Sequence, residues 1–109
     1  MREIQREEVV SLVESGTARI VDALGPISFA AAHIPTAVNI PPDRVDALAP
    51  RRIAGLETPV VVYCAGVECG SSVEVARRLV ELGYRDVRHY AGGKRDWADA
   101  GLAFEGARA

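Results

Sequence analysis

Apolar and polar residues alternate in blocks along the chain, and the blocks predict strands and helices in turn. The most apolar block, Val60–Tyr63, is rich in β-branched and aromatic residues, which is typical of a strand buried within a parallel sheet. Similar but shorter blocks predict strands at 18–21, 38–40 and 86–90, and a short edge strand near Ile4.

Apolar residues recur with helical spacing between these strands. The segments predicted as helices are 5–15, 27–32, 43–48, 72–82 and 94–100. Glycines follow the first, fourth and fifth of them, as is usual just beyond a helix C-terminus. Strands and helices therefore alternate over the whole chain, which predicts an α/β fold with a mainly parallel sheet covered by helices on both faces.

Several single positions carry further predictions about packing. Asp43 is expected to cap the third helix, and Val80 to lie on the buried face of the fourth. Trp97 and Phe104 are predicted to anchor the core, and His89 is predicted to lie half-exposed on the face of the last strand. The residues after position 105 are expected to fray.

Length, composition and charge narrow the class of protein. The 109 residues predict one domain, 1–109, with 49% hydrophobic and 26% charged residues, ordinary for a globular core. A net charge of −2 without a basic stripe predicts no nucleic-acid partner. The chain contains no apolar run near the roughly 20 residues of a membrane span and begins with a charged segment. We therefore expect no membrane partner and a cytoplasmic location.

Candidate chemistry centres on Cys64, at the carboxyl end of the most apolar strand, where ligands bind in open parallel sheets. The loop that follows consists of Ala65, Gly66, Val67, Glu68, Cys69 and Gly70 and leads through Ser71 and Ser72 into a helix. A helix N-terminus favours anions, and there a thiol pKa falls from about 8.5 to roughly 3.5–7.5. Cys64 is therefore predicted to be a nucleophile. The alternative is a small apolar residue buried at a strand end.

Other residues of the loop have two interpretations each. Cys69 is expected either to resolve a persulfide or form a disulfide with Cys64, or to be a loop thiol without a partner. Ser71 and Ser72 either donate hydroxyls to the substrate or cap the helix. Glu68 either influences the choice of substrate or is a solvated charge.

No metal or cofactor is expected. His33 and His89 are isolated in sequence, and the two cysteines lack the second pair of ligands that a zinc site needs. No phosphate-binding or dinucleotide fingerprint is present. Asp22, at the end of a strand, is expected to give structural support by accepting backbone N–H bonds from the active loop.

Four stretches together resemble the single-domain rhodanese family in order and spacing. They are Ile20-Val21-Asp22, AHIPTAVNIP at 32–41, VVYC at 61–64 with its glycine-containing loop, and LGYRDVRHYAGGKRDWADAGL at 82–102. The resemblance implies a rhodanese-like fold of about five mainly parallel strands. It also implies that Cys64 accepts a sulfane sulfur and that His33 fixes a turn. The implied donor is a small sulfur-containing anion such as thiosulfate. The implied acceptor is cyanide, a small thiol or a protein.

The loop departs from the family pattern. Ser71 stands seven residues after Cys64, which makes the loop longer than the one usual in sulfurtransferases. Longer loops in the family go with oxyanion chemistry, but those carry an Arg at the loop end that clamps the oxyanion. This loop contains no Arg and carries Glu68, which disfavours a phosphatase and would oppose a dianionic donor.

The missing positive charge must come from elsewhere in the chain if an anion is to bind. Leu24 stands where an Arg often follows the strand-end acid, so the expected candidates are Lys94, Arg95 and Arg51. Three functions therefore stay open. They are a sulfurtransferase, a thiol redox protein or oxyanion reductase using both cysteines, and a non-catalytic binding module.

Overall fold

A five-stranded sheet organises the structure, a computed structural model that describes residues 1–109. The strands are β1 (Arg2–Glu3), β2 (Arg19–Asp22), β3 (Val38–Asn39), β4 (Val60–Tyr63) and β5 (Val87–Tyr90). Their order across the sheet is β1-β5-β4-β2-β3, and every neighbouring pair is parallel. The predicted α/β fold with a mainly parallel sheet is thereby confirmed, with the most apolar strand at its centre.

Five α-helices connect and cover the strands. They are α1 (Arg6–Ser15), α2 (Pro26–Ala31), α3 (Val45–Arg52), α4 (Ser71–Glu81) and α5 (Gly93–Asp99), and a 3₁₀ turn (Pro42–Arg44) precedes α3. None of the helices combines the length and the apolar character needed to cross a lipid bilayer.

The side chains of β4 alternate between two core layers. Val60 and Val62 pack in the layer that α3 and α4 cover, whereas Val61 and Tyr63 pack in the layer of α1, α2 and α5. All four side chains are fully buried, as expected for a central parallel strand. Burying apolar area on both faces is the main stabilising contribution to this arrangement.

The predicted limits of the third helix are wrong at both ends. Asp43 lies within the 3₁₀ turn and makes no capping hydrogen bond to α3. The helix also continues past its predicted end at position 48 and through Pro50, a residue type that usually ends a helix. Ala49 and Ile53 are buried in the core on either side of Pro50, and this packing holds the backbone helical although one hydrogen bond is lost.

The start of α4 also differs from the prediction. Gly70 occupies the N-cap position, and neither Ser71 nor Ser72 provides a capping side-chain bond. The Ser72 hydroxyl is drawn into the protein, where it has other partners. Val80, predicted on the buried face of the helix, is 45% exposed because its position lies beyond the edge of the sheet-facing stripe.

The C-terminal residues do not fray. The backbone N–H groups of Ala107 and Arg108 donate to the carbonyl oxygens of Ala30 and Ala31, at the end of α2. Gly106 has a φ of +131°, and a Cβ at this position would lie 2.6 Å from the Ala31 oxygen. The tail is therefore held by backbone bonds that hydrophobic patterning does not reveal.

Aromatic residues near the C-terminus behave partly as predicted. Trp97 is buried and donates its indole N–H to the carbonyl of Ala103, whereas Phe104 is only partly buried against the same core layer. Next to Phe104, the backbones of His33 and Glu105 form an isolated antiparallel β-bridge. This bridge joins the segment after α2 to the C-terminal tail.

Candidate active site

Cys64 is the first residue after β4, and α5 fixes its backbone. The N–H groups of Lys94 and Arg95, in the first turn of α5, donate to the carbonyls of Cys64 and Ala65 at 3.0 and 2.9 Å. Gly93 makes this approach possible, because its φ is +58° and a Cβ would overlap the Cys64 carbonyl oxygen. The position of Cys64 is therefore set by the helix that follows the neighbouring strand.

The loop 65–70 folds back over the Cys64 thiol. The N–H of Cys69 donates to the Gly66 carbonyl at 3.1 Å, which closes a turn and returns the chain to Cys64. The Cys64 sulfur then lies 3.3 Å from the Cys69 carbonyl oxygen, and Cys64 is only 1% exposed. The residues of this loop cover the thiol and close it off from solvent.

A cavity of about 540 Å³ lies on the outer side of this loop. Its lining consists of Ala65, Gly66, Val67, Glu68, Cys69 and Arg95. Cys69 reaches the cavity, whereas Cys64 lies beneath it. A molecule bound in the cavity reaches the Cys64 sulfur only if the loop moves.

A buried polar chain extends from Cys64 away from the loop. The Cys64 thiol donates to the Ser72 hydroxyl oxygen at 3.1 Å, and the Ser72 oxygen lies 2.8 Å from Nε2 of His89. On the other side of the ring, Nδ1 of His89 lies 3.9 Å from a carboxylate oxygen of Glu3. Residues from the end of β4, from α4, from β5 and from β1 are thus brought together.

The two thiols have opposite pKa shifts. Burial raises the pKa of the Cys64 thiol, and the neighbouring Cys69 side chain raises it further, although the Ser72 hydroxyl and N–H act in the other direction. Burial would also raise the pKa of Cys69. The neighbouring Cys64 side chain and the N–H groups of Ala65 and Ser71 outweigh this effect and lower the pKa of Cys69 to about 7. The expected low pKa of Cys64 is therefore wrong for this closed loop, in which Cys69 receives two of the loop's backbone donors.

Arg95 is the cation that lines the cavity, beside Glu68. Its side chain is largely exposed and lies 3.6 Å from Asp99. Lys94 instead points to the other side of α5, where it donates to the Ser28 carbonyl and lies 3.9 Å from Asp22. Of the cations considered from sequence, Arg95 alone faces the loop, since Arg51 lies on α3 and outside the cavity lining.

Asp22 gives structural support, but not to the loop 65–70. Its two carboxylate oxygens accept the Leu24 N–H and the Tyr63 hydroxyl, both at 2.8 Å. Tyr63 in turn accepts the Ile34 N–H. Burial raises the pKa of Asp22, while these two bonds and Lys94 oppose the shift. The expected bonds to the active loop are absent because Asp22 shares the layer of Tyr63, on the opposite face of the sheet from the Cys64 thiol.

His33 also lies outside the site. Its Nδ1 lies 2.7 Å from the Phe29 carbonyl oxygen, and its ring stacks on the Phe29 ring with centroids 3.9 Å apart. Nε2 lies 3.9 Å from Glu105. These contacts hold the end of α2 and the turn after it.

Sequence reasoning missed His89 as a functional candidate. The predicted half-exposed position is wrong, because His89 is 9% exposed and shares the sheet face of Val87. The alternation of strand side chains was the available signal: the apolar Val87 indicates the buried face of the predicted strand, and the residue two positions later lies on the same face.

Comparisons with known proteins agree with this architecture. A family model described as a rhodanese-like domain matches residues 5–100. The chain is also 34% identical, over 100 residues, to an HTH-type transcriptional regulator of Mycobacterium tuberculosis. That match covers 91% of this chain and 42% of the regulator, so the chain spans less than half the length of this curated relative.

Two solved structures of sulfurtransferases are similar to the whole fold. The human single-domain sulfurtransferase is 29% identical with a TM-score of 0.76, and the match covers 91% of this chain and 96% of that one. The thiosulfate sulfurtransferase from Pseudomonas aeruginosa is 28% identical with a TM-score of 0.84. Here the match covers 97% of this chain and 20% of that chain.

Proposed function

The chain belongs to the rhodanese-like domain family, and on that premise we propose that it is a sulfurtransferase whose sulfur carrier is Cys64. The observation that carries the proposal is the position of this thiol. It lies at the carboxyl end of the central parallel strand, against the Ser72 hydroxyl and N–H at the start of α4. Ligands bind at this edge of open parallel sheets, and free N–H groups at a helix start stabilise the negative charge of a persulfide.

The proposed reaction has two half-steps. The Cys64 thiolate attacks the outer sulfur of a donor such as thiosulfate, the sulfur–sulfur bond of the donor breaks, and sulfite leaves with the electron pair. An acceptor, either cyanide or a thiolate of a small molecule or protein, then attacks the outer sulfur of the Cys64 persulfide. The acceptor leaves with that sulfur, and the Cys64 thiolate is regenerated.

The cavity over the loop is proposed to receive the donor. Arg95 supplies a positive charge for a small anion, whereas Glu68 opposes a dianion in the same space. The loop must then open, since Cys64 is closed off from the cavity. Loop movements that complete a site on substrate binding are common in enzymes.

A second candidate function uses both cysteines as a redox pair. It is favoured by the position of both thiols in one loop, where each shifts the pKa of the other, and by the pKa of about 7 for Cys69, which supplies a reactive thiolate at neutral pH. A mild oxidant of the disulfide class would take two electrons and two protons from the pair and leave a Cys64–Cys69 disulfide.

Intact mass spectrometry separates these functions. We expect wild-type protein incubated with thiosulfate to gain the mass of one sulfur atom, and Cys64→Ser to gain none. A gain that survives in Cys69→Ser supports a carrier that works alone. Equal gains in wild type and Cys64→Ser would refute the proposal.

A mass change without sulfur has a different meaning. A loss of two hydrogens on mild oxidation, with no sulfur gain from thiosulfate, would favour the redox pair instead. Neither change in wild type would favour a non-catalytic binding module.

A further inference from the structure

The polar chain behind Cys64 is unusual for its surroundings. Ser72 and His89 are 1% and 9% exposed and lie beside the apolar layer that α4 packs against β4 and β5. Burying a hydroxyl and an imidazole costs free energy unless each finds a hydrogen-bond partner. Their partners are each other and the Cys64 thiol, at 2.8 and 3.1 Å.

The direction of these hydrogen bonds follows from the donors available. The thiol of Cys64 donates to the Ser72 oxygen, so the Ser72 hydroxyl keeps its own proton for Nε2 of His89. His89 then carries its ring proton on Nδ1, which faces the Glu3 carboxylate. The Cys64 thiol and the Ser72 hydroxyl therefore donate in the same direction, away from Cys64 and towards His89.

We propose that His89 takes the proton of the Cys64 thiol through the Ser72 hydroxyl, and that this transfer activates Cys64. The Cys64 proton moves to the Ser72 oxygen while the Ser72 proton moves to Nε2 of His89. The products are a thiolate and an imidazolium, with no net gain or loss of protons or electrons. The role of this relay in sulfur transfer rests on the proposed function, whereas the relay itself does not.

The surroundings of Cys64 disfavour its thiolate, so ionisation of Cys64 near neutral pH requires a nearby proton acceptor. Burial raises the pKa of this thiol, and Arg95 lies on the far side of the loop. Burial also lowers the pKa of His89 from its ordinary value of 6.5, so the ring is neutral and able to accept a proton at pH 7.

Few charges act on His89 from the elements around it. The charged group facing it is Glu3 from β1, which favours the imidazolium. The loop contributes the Cys64 and Cys69 thiols, and β4 contributes the uncharged Val62 beside it in the sheet. Cys69, whose side chain and that of Cys64 shift each other's pKa, is therefore the competing proton acceptor, and the experiment must separate Cys69 from His89.

The test measures the iodoacetamide alkylation rate of Cys64 from about pH 5 to about pH 10. Cleavage after Glu68 places the two thiols on different peptides, so mass spectrometry follows each separately. In wild type we expect the rate to rise as His89 loses its proton, to level off around neutral pH, and to rise again when Cys64 ionises directly. We compare the shapes of the pH profiles and not the absolute rates, because the burial of Cys64 slows its alkylation in every variant.

His89→Gln keeps an acceptor for the Ser72 hydroxyl but cannot hold the proton. We expect the plateau to disappear, with a rate at pH 7 at least about tenfold lower and wild-type behaviour recovered near pH 10. Ser72→Ala should lose the plateau in the same way, and Ser72→Thr, which keeps the hydroxyl, should retain it. His33→Gln, at the histidine outside the site, is the matched control with an unchanged profile.

Two results would overturn the relay. One is a wild-type profile in folded His89→Gln or, should that variant not fold, in folded Ser72→Ala. The other is a plateau that vanishes in Cys69→Ser instead, which would make Cys69 the acceptor. A lost plateau in His89→Gln together with no persulfide in wild type would support the relay and refute the proposed sulfurtransferase.

Discussion

At the scale of single residues, the two thiols differ in acidity because they meet different parts of one loop. The N–H groups of Ala65 and Ser71 and the neighbouring Cys64 side chain all favour the thiolate form of Cys69. Cys64 lies deeper, where burial opposes its charge. In the closed loop, the negative charge of the pair therefore rests on Cys69.

This difference predicts the order in which the thiols react. A pKa of about 7 makes Cys69 about half thiolate at pH 7, whereas the pKa of Cys64 is raised above its ordinary value of 9.0. We expect iodoacetamide to modify Cys69 at least about tenfold faster than Cys64 at pH 7, with half-maximal rate for Cys69 near pH 7. Peptide mass spectrometry after cleavage at Glu68 gives both rates.

The control is Cys64→Ala, which removes the thiol at position 64. The Cys69 profile should move to higher pH in this variant, because one of the groups that stabilise its thiolate is lost. Faster modification of Cys64 than of Cys69 in wild type would show that the closed loop is not the reactive form.

Cys64 could be predicted as a candidate because the signal is local: an apolar strand, a cysteine and a glycine-containing loop follow one another in the sequence. The partners of Cys64 are not local in this sense. His89 is far along the chain and reaches the thiol only through strand pairing and the inward turn of Ser72. The pKa shifts depend on burial and on loop hydrogen bonds, neither of which the order of residues expresses.

At the scale of elements, the first turn of α5 holds the backbone where the loop 65–70 begins. Its first N–H groups hold the Cys64 and Ala65 carbonyls, and Gly93 allows the two backbones to touch. The adjacent Gly92 and Gly93 are visible in the sequence, but the backbone that they contact is not. A glycine pair shows that the backbone needs freedom, whereas the partner of that backbone is set by the packing of α5 against the end of β4.

Gly93→Ala tests this contact. Gly93 and Gly101 flank α5 and both have positive φ, +58° and +74°, but a Cβ at Gly101 would meet nothing within 4 Å. We expect Gly101→Ala to cost about 1–2 kcal/mol in free energy of unfolding from backbone strain alone. Gly93→Ala should cost more, because the Cβ also forces the Cys64 carbonyl away, and should lower the rate of persulfide formation.

Urea unfolding measures the stability of both variants, and the intact-mass assay with thiosulfate measures the persulfide. Equal losses of stability in the two variants, with an unchanged persulfide rate in Gly93→Ala, would show that α5 does not position Cys64.

At the scale of the whole molecule, the site forms where the two helical layers meet around the end of β4. The layer of α4 supplies Ser72, and the opposite layer supplies the first turn of α5 with Arg95. Strand–helix alternation predicted both layers, since the sheet must be covered on two faces. It did not reveal which charged side chain of α5 faces the loop, because a shift of one residue along a helix turns a side chain by about 100°.

The charge at the cavity predicts how the whole molecule meets an anionic donor. With a net charge of −2, the protein repels thiosulfate weakly at long range, so local attraction depends on Arg95 and local repulsion on Glu68. We expect Arg95→Gln to lower the second-order rate of persulfide formation about three- to tenfold, from about 1 kcal/mol of Coulomb energy in water. Glu68→Gln should raise it by a similar factor, and salt should reduce both effects.

Arg51→Gln removes the same charge from the exposed surface of α3 and is the matched control, with a rate near that of wild type. Equal losses in Arg95→Gln and Arg51→Gln would mean that net charge, and not the cavity, governs the approach of the donor.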